Sequence, residues 1–246
     1  MFVRILDFNV WDENPKSASD IVDFIFSHDA HIVCLQEVRE DVLRELFLRD
    51  TYHVKFARGM ESEGLGTSYL VILSKFPVET HGVIRNTHTH VNASFFRWWK
   101  RLKEHLESHF VLLRVGDFLL QIFNIHLPIC AGPLVRIRQF RKIIKRRQAG
   151  YTHIIAGDFN IYADRWYHKF IGWLFLGHSN KELFVNERDL FETVFKEYQL
   201  RNIFKGHATY SLVMKILLFQ FDHIIIPDSI KVLRMEIPED SHGSDH

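Results

Sequence analysis

Between His31 and Val38 the chain sets Ile32, Val33, Cys34 and Leu35 side by side, then turns abruptly polar at Gln36-Glu37. Four consecutive apolar residues do not suit a strand with one wet face. Both faces must be covered, so a strand over 31–38 requires a layer on each side of its sheet. Strand-like runs recur at 3–10, 52–56, 68–73, 78–84, 110–115, 119–125, 152–156, 219–226 and 231–235. The pair 110–115 and 119–125 is joined at Gly116-Asp117, a hairpin signal. Helical spacing separates several of these runs. Ser17 and Asp20 open a helix reaching about residue 26, and further helices fit 41–48 and 190–198. Another lies between Pro133 and Gly150, with Leu134, Ile137, Phe140 and Ile144 on one stripe. Strands interleaved with helices, some linked by hairpins, predict an α/β (α+β) fold: two mixed sheets face to face with helices outside.

Composition narrows the function classes. Of the 246 residues, 47% are hydrophobic, enough for a sizeable core, and no linker-like stretch divides the chain. A net charge of +1 leaves any nucleic-acid-binding surface local. The 22 phenylalanines carry no functional signal at this level. Cys34 and Cys130 cannot build a disulfide framework, and the N-terminus lacks a secretory pattern. With no apolar run of about 18–20 residues, the expectation is a cytoplasmic protein.

The chemistry-bearing residues cluster at the ends of apolar runs. Asn9 closes the first, Gln36-Glu37 the second, His126 follows 119–125, and Gly157-Asp158-Phe159-Asn160 follows 152–156. Asp222-His223 and Ser244-Asp245-His246 come later. Mg²⁺ takes oxygen ligands and keeps several waters, so one or two carboxylates plus a substrate phosphate suffice. Glu37, the charge ending an apolar strand, is the leading ligand candidate. Asp158 and Asn160, two apart, project to one side on an extended backbone. There a carboxylate can orient water while the amide donates to a phosphoryl oxygen. A histidine held by a carboxylate, as Asp222-His223 and Asp245-His246 offer, gains basicity and orientation.

In this order Asn9, Gln36-Glu37, His126, Gly157-Asp158-Phe159-Asn160, Asp222 and Ser244-Asp245-His246 resemble the endonuclease/exonuclease/phosphatase superfamily. Leu73-Ser74-Lys75-Phe76-Pro77 resembles its Leu-Ser-Arg-x-Pro segment, and Arg136 with Gln139 matches a further habit. The resemblance spans the chain. It implies a four-layer αββα sandwich with a cleft at one edge, and a metal-dependent hydrolase of phosphoric esters. Mg²⁺ or Mn²⁺ would be bound by Glu37, with Asn9 and Asp245 completing its shell. His246, paired to Asp222, would activate or orient water. Asn160 and His126 would steady phosphoryl oxygens, and Asp158 would place the nucleophile or assist the leaving group.

The chain also departs from the pattern. Trp11 stands where many DNA-processing members carry Asp, and Asn9-Val10-Trp11 also occurs in lipid-directed ones. Tyr69-Leu70 replaces a frequent Gly-Asn. The single domain 1–246 stops at His246, apparently without its last C-terminal strand, which would leave that histidine poorly anchored.

Substrate signals divide between two classes. Phe95-Phe96-Arg97-Trp98-Trp99-Lys100-Arg101 mixes aromatic and basic residues, suited to stacking on bases, to a lipid interface, or to an ordinary helix packing its aromatics on the sheet. The apolar stretch 166–176 reads as a buried helix, a cleft wall or a membrane-contacting loop. The basic residues from Arg136 to Arg147 read as a solvated helix face. The expectation is a monomeric phosphodiesterase acting on nucleic acid by in-line water attack. A sphingomyelinase-type lipid phosphodiesterase with peripheral membrane contact is the alternative, and a non-catalytic binding module on the same fold the second.

Overall fold

The apolar runs become strands in chain order: β1 (Ile5–Asn9), β2 (Ile32–Val38), β3 (His53–Ser62), β4 (Gly66–Ser74), β5 (Val78–Arg85), β6 (Leu102–Glu104) and β7 (Glu107–Val115). They continue as β8 (Phe118–His126), β9 (Thr152–Asp158), β10 (Leu200–Asn202), β11 (Tyr210–Leu212), β12 (Leu217–Phe219) and β13 (Asp222–Pro227). The helices are α1 (Ala18–Ser27), α2 (Glu40–Leu48), α3 (Pro133–Ile144) and α4 (Glu187–Glu197). This computed structural model describes residues 2–62, 66–85, 102–104, 107–129, 131–161, 169, 173, 180–212 and 217–246.

One sheet runs β1-β2-β4-β3-β6 and the other β10-β13-β9-β8-β7-β5, with β11 and β12 forming a separate hairpin. Pairs β1–β2 and β8–β9 are parallel and the other pairs antiparallel, so both sheets are mixed. Three apolar clusters define four layers. Val33, Leu35, Val71 and Leu73 meet Ile21, Val22, Ile25, Val42 and Leu46 of α1 and α2 on one outside. Ile32, Cys34 and Ile72 meet Val111, Leu113, Ile122, Ile154 and Ile224 between the sheets. Phe123, Ile125 and Ile155 meet Phe140, Ile143, Phe191 and Phe195 of α3 and α4 on the other outside. Rings of Phe140, Phe159, Phe191 and Phe195 lie 5.3–6.4 Å apart, so part of the phenylalanine excess is core packing. The αββα sandwich predicted from the sequence is the observed fold.

Local signals held where side chain and backbone act together. Ser17 Oγ accepts from Asp20 N–H at 3.1 Å and caps α1. Gly116 takes φ +62° at the turn between β7 and β8. Other expectations need correction. The run 219–226 breaks at Gln220-Phe221, because Thr209 Oγ1 takes the N–H groups of Phe221 and Asp222 (3.1 and 3.0 Å). Residues 231–235 form no strand, since β13 is already paired on both sides by β10 and β9. α3 ends at Ile144, well before Gly150, and α4 starts earlier than expected, capped by Asn186. The expected solvated face of α3 is broken by Arg136, which is fully buried. The segments 95–101 and 166–176 lie outside the described residues, apart from Lys169 and Trp173.

Candidate active site

Strand alternation builds the site. Along β1, Ile5 faces the other sheet, and Asp7 and Asn9 share its side two and four residues on. On β8, Ile122 is followed by Asn124 and His126; on β9, Ile154 by Ala156 and Asp158. β13 contributes Asp222 opposite Asp158. The inward side of the sandwich is thus apolar in its middle and polar at one end. Glu37 would break this rule, because Gln36 already faces inward. It joins the site through φ +53° and a shift in β2–β4 register between Leu35 and Val38. At Gly157, φ is +134° and an added Cβ would lie 2.0 Å from Ile125 O, so only glycine fits before Asp158.

Six sequence-identified residues converge. His126 Nε2 lies 3.7 Å from both Glu37 Oε1 and Asp158 Oδ2. Asn9 Nδ2 donates to the same two oxygens at 3.2 and 3.3 Å and lies 3.4 Å from His246 Nε2. His246 Nδ1 is 2.7 Å from Asp222 Oδ2, with Asp158 Oδ2 at 3.8 Å from the opposite nitrogen. Asn9 turns its amide nitrogen toward the carboxylates, while its oxygen accepts from Trp11 N–H at 3.0 Å. As placed, it orients the carboxylates more directly than it offers a ligand oxygen.

The remaining candidates stand at the edge. Asn160 is not on extended backbone but at φ +49°. Its N–H closes a turn onto Asp158 Oδ1 at 2.8 Å, and Nδ2 donates to Leu127 O at 2.8 Å. One amide hydrogen therefore remains for another partner. Asp245 is about one-third exposed, its Oδ1 3.9 Å from His246 Nε2 and without a hydrogen-bond partner.

Asp222 pairs as the family resemblance implied, and not as the adjacent Asp222-His223 dyad offered. Its carboxylate holds His246, not its neighbour. His223 points away, buried between Asn202 (2.7 Å) and Gln220 O (3.1 Å), and burial lowers its pKa to about 3. Nor is His246 poorly anchored. Its ring packs against Tyr210 and Phe221 with centroids 5.0 and 6.0 Å away. Its N–H donates to Ser244 Oγ, whose hydroxyl donates to Asn9 O at 2.7 Å. Upstream, His242 stacks on Phe24 at 4.5 Å.

Burial dominates the electrostatics. It lifts the pKa of Asp158 to about 6, against the pull of His126 and His246. Asp245 rises to about 6 for the same reason. His246 is raised to about 10: Asp222, Asp158 and Asp245 together outweigh its desolvation. Asp222, hydrogen-bonded to His246, stays below the usual carboxylate range. Two groupings have ligand atoms within 4.8 Å of one another: Glu37–His126–Asp158 and Asp158–Asp222–His246. Crowded carboxylates, with Asp222 Oδ1 and Asp245 Oδ1 orphaned, fit a hard divalent cation.

Sequence reasoning missed Asp7 and Tyr210. Asp7 accepts from Gln36 Nε2 and Gly157 N–H, both at 2.9 Å. Burial and Asp222 raise its pKa while those two bonds oppose the rise. A charge two residues before Asn9 on an apolar strand was the readable signal. Tyr210 packs on His246, and burial followed by Asp245 raises its hydroxyl to about 12. No spacing in the sequence marked it.

The chain belongs to the Endonuclease/Exonuclease/phosphatase family, whose pattern it matches over residues 8–246. Its members are hydrolases that generally depend on a divalent metal. Solved structures agree in fold. The catalytic domain of human Nocturnin with bound sulfate shows 16% identity and a TM-score of 0.65, covering 99% of this chain and 91% of that one. Zebrafish (D. rerio) TDP2 complexed with single-strand DNA product shows 16% identity and 0.60 over 94% and 86%. The mannosyl-6-phosphatase Bt3783 of Bacteroides thetaiotaomicron shows 14% identity and 0.61 over 93% and 86%. No curated protein matches the sequence significantly. Among the described residues, no helix is long and apolar enough to cross a membrane.

Proposed function

We propose that the chain is a Mg²⁺- or Mn²⁺-dependent phosphodiesterase that hydrolyses its ester by in-line water attack. The observation carrying this is the meeting of Glu37, His126 and Asp158 with the Asp222–His246 pair in one partly buried cluster. Glu37 would hold the cation, with Asp245 near it and Asn9 orienting the Glu37 and Asp158 carboxylates. When bound, the cation supplies charge that stabilises the phosphoryl oxygens. His246, kept protonated and aimed by Asp222, donates its remaining Nε2–H toward a phosphoryl oxygen. His126 and the free hydrogen of Asn160 steady the others. Asp158, within 3.7 and 3.8 Å of the two histidines, accepts the proton that the attacking water releases, and the leaving oxygen takes up a proton from solvent as the phosphorus–oxygen bond breaks.

Nucleic acid is the favoured substrate. The mixed aromatic and basic segment 95–101 supports it, as does likeness to a TDP2 structure holding a DNA product. A lipid phosphodiesterase is the second reading. Its specific support is exposed apolar surface on the segments that follow His126 and Asn160: Leu134 (42%), Trp173 (38%) and Phe184 (89%).

The test is hydrolysis of single-stranded DNA and of sphingomyelin liposomes, side by side. Activity is expected to vanish with chelator, return with Mg²⁺ or Mn²⁺, and fall at least about 100-fold in Glu37→Gln. Hydrolysis that survives chelation and Glu37→Gln would sink the metal-dependent reading. Cleavage of lipid alone would reverse the substrate ranking.

A further inference from the structure

Beneath the site residues lies a second polar layer, one step further down each strand. Asp7 precedes Asn9 by two residues on β1, Gln36 precedes Glu37 on β2, Asn124 precedes His126 by two on β8, and Gly157 precedes Asp158 on β9. We propose that Asp7 is a positioning residue: by joining β1, β2 and β9 through this layer, it sets where Asp158 stands. The inference rests on the hydrolase reading above.

The polarity of the layer can be followed atom by atom. The carbonyls of Leu35 and Val71 can only accept, and Asn124 Nδ2 meets them at 2.8 and 2.9 Å. That turns Asn124 Oδ1 to Gln36, whose Nε2 donates to it at 2.8 Å. The same nitrogen donates its second hydrogen to Asp7 Oδ1. Gln36 Oε1 is left without a partner. Reversing the amide would set its oxygen against two acceptors, so the orientation is fixed despite the orphaned oxygen. On its other side Asp7 meets another donor, the Gly157 N–H. Two donors converge on one short side chain, and each takes a separate oxygen. Asn would offer one oxygen and set an NH₂ against the other donor; Ser or Thr has a single oxygen.

Location distinguishes this from an ordinary buried tie. Gln36 and Asn124 are fully buried, and neither reaches the reacting groups. Asp7 bonds to the residue immediately before Asp158. Gly157 occupies a left-handed conformation that no side chain tolerates there, so its peptide is held by strand pairing to Ile125 and His223 and by Asp7, with no packing of its own side chain. The Asp7 bond braces that peptide from the first sheet while Asp158 carries its carboxylate from the second. Losing the brace lets Asp158 drift relative to Asn9 and Glu37, and a displacement of about 1 Å at a reacting group costs about 100-fold in rate. Substrate contacts made elsewhere are untouched.

The experiment compares the wild-type chain, Asp7→Asn, Asp7→Glu and Tyr52→Phe at saturating Mg²⁺, on whichever ester the wild type cleaves. Tyr52 bonds to Ala30 O at 2.7 Å, at the opposite end of β2, and serves as the control for lost stability alone. Asp7→Asn is expected to lower kcat about 100-fold with KM changed less than about threefold. Asp7→Glu keeps two acceptors but shifts them by a methylene, so it folds and still lowers kcat about tenfold. Tyr52→Phe melts earlier at unchanged kcat. Wild-type kcat in folded Asp7→Asn or Asp7→Glu overturns the inference alone. A wild type without metal-dependent hydrolysis overturns the hydrolase reading, and this inference with it.

Discussion

At the scale of single residues, left-handed conformations do much of the aiming. Trp11 (φ 66°), Glu37 (φ 53°) and Asn160 (φ 49°) are not glycines, yet all three lie at the site. Such conformations cost on the order of 1 kcal/mol each and persist where the surroundings fix them. Trp11 N–H is held by Asn9, Asn160 N–H by Asp158, and Glu37 by Asn9 and His126. The most exacting single contact is Asp222 to His246. Asp222→Asn would keep the shape but remove the charge that holds the imidazole protonated and oriented. Its kcat is expected to fall at least about 100-fold with the fold intact, as circular dichroism and steady-state kinetics would show. A drop under about threefold would remove His246 from the chemistry.

At the scale of elements, α3 and α4 matter through what they hold. Arg136 sends two bonds to Glu187 at 2.6 and 2.8 Å, with both side chains fully buried. Its third nitrogen gathers the carbonyls of Pro128, Ile129 and Ala131, fixing the loop after His126. That loop includes Leu127, whose carbonyl anchors Asn160. Arg136→Met would remove two charge-assisted bonds from a buried carboxylate, and urea denaturation is expected to show a loss of about 3–5 kcal/mol. Adding Glu187→Leu should return part of it, but not the bonds to the loop. No loss of stability in the single variant would mean that the pair contributes nothing net.

For the whole molecule, the sandwich interior sets an acid limit. His109 is fully buried on β7 with neither ring nitrogen bonded, edge-on to His81 at 5.8 Å. Burial first, then His81 and Lys55, lowers its pKa from 6.5 to about 3. His223 is depressed alike. Between those values the unfolded chain binds the proton and the folded chain does not, so stability rises with pH across this window and falls on acidification. His109 alone should account for about 2 kcal/mol lost between pH 7 and pH 5. His109→Phe should remove that share, flattening the acid side of a stability-against-pH curve; an unchanged slope would show that His109 charges freely in the fold.

The sequence by itself determined the layers and most of the cast. Apolar runs and helical stripes depend on short-range periodicity, so β2, β8, β9 and α1 were readable to within a few residues, as were the polar residues at their ends. The Asp222–His246 pair, across a sequence separation of 24, was implied by the family resemblance and not by any spacing in the chain. Only the tertiary structure decided which of the others meet. His223, one residue from Asp222, turns into the core because alternation along β13 sends it to the other face. Glu37 reaches the site through a bulge that no composition announces. Arg136 is buried because Glu187, 51 residues away, arrives to neutralise it. Asp7 gains its place from donors on two other strands. Periodicity is a property of one segment, whereas partnership is set by register between segments, and register exists only once the sheets are assembled.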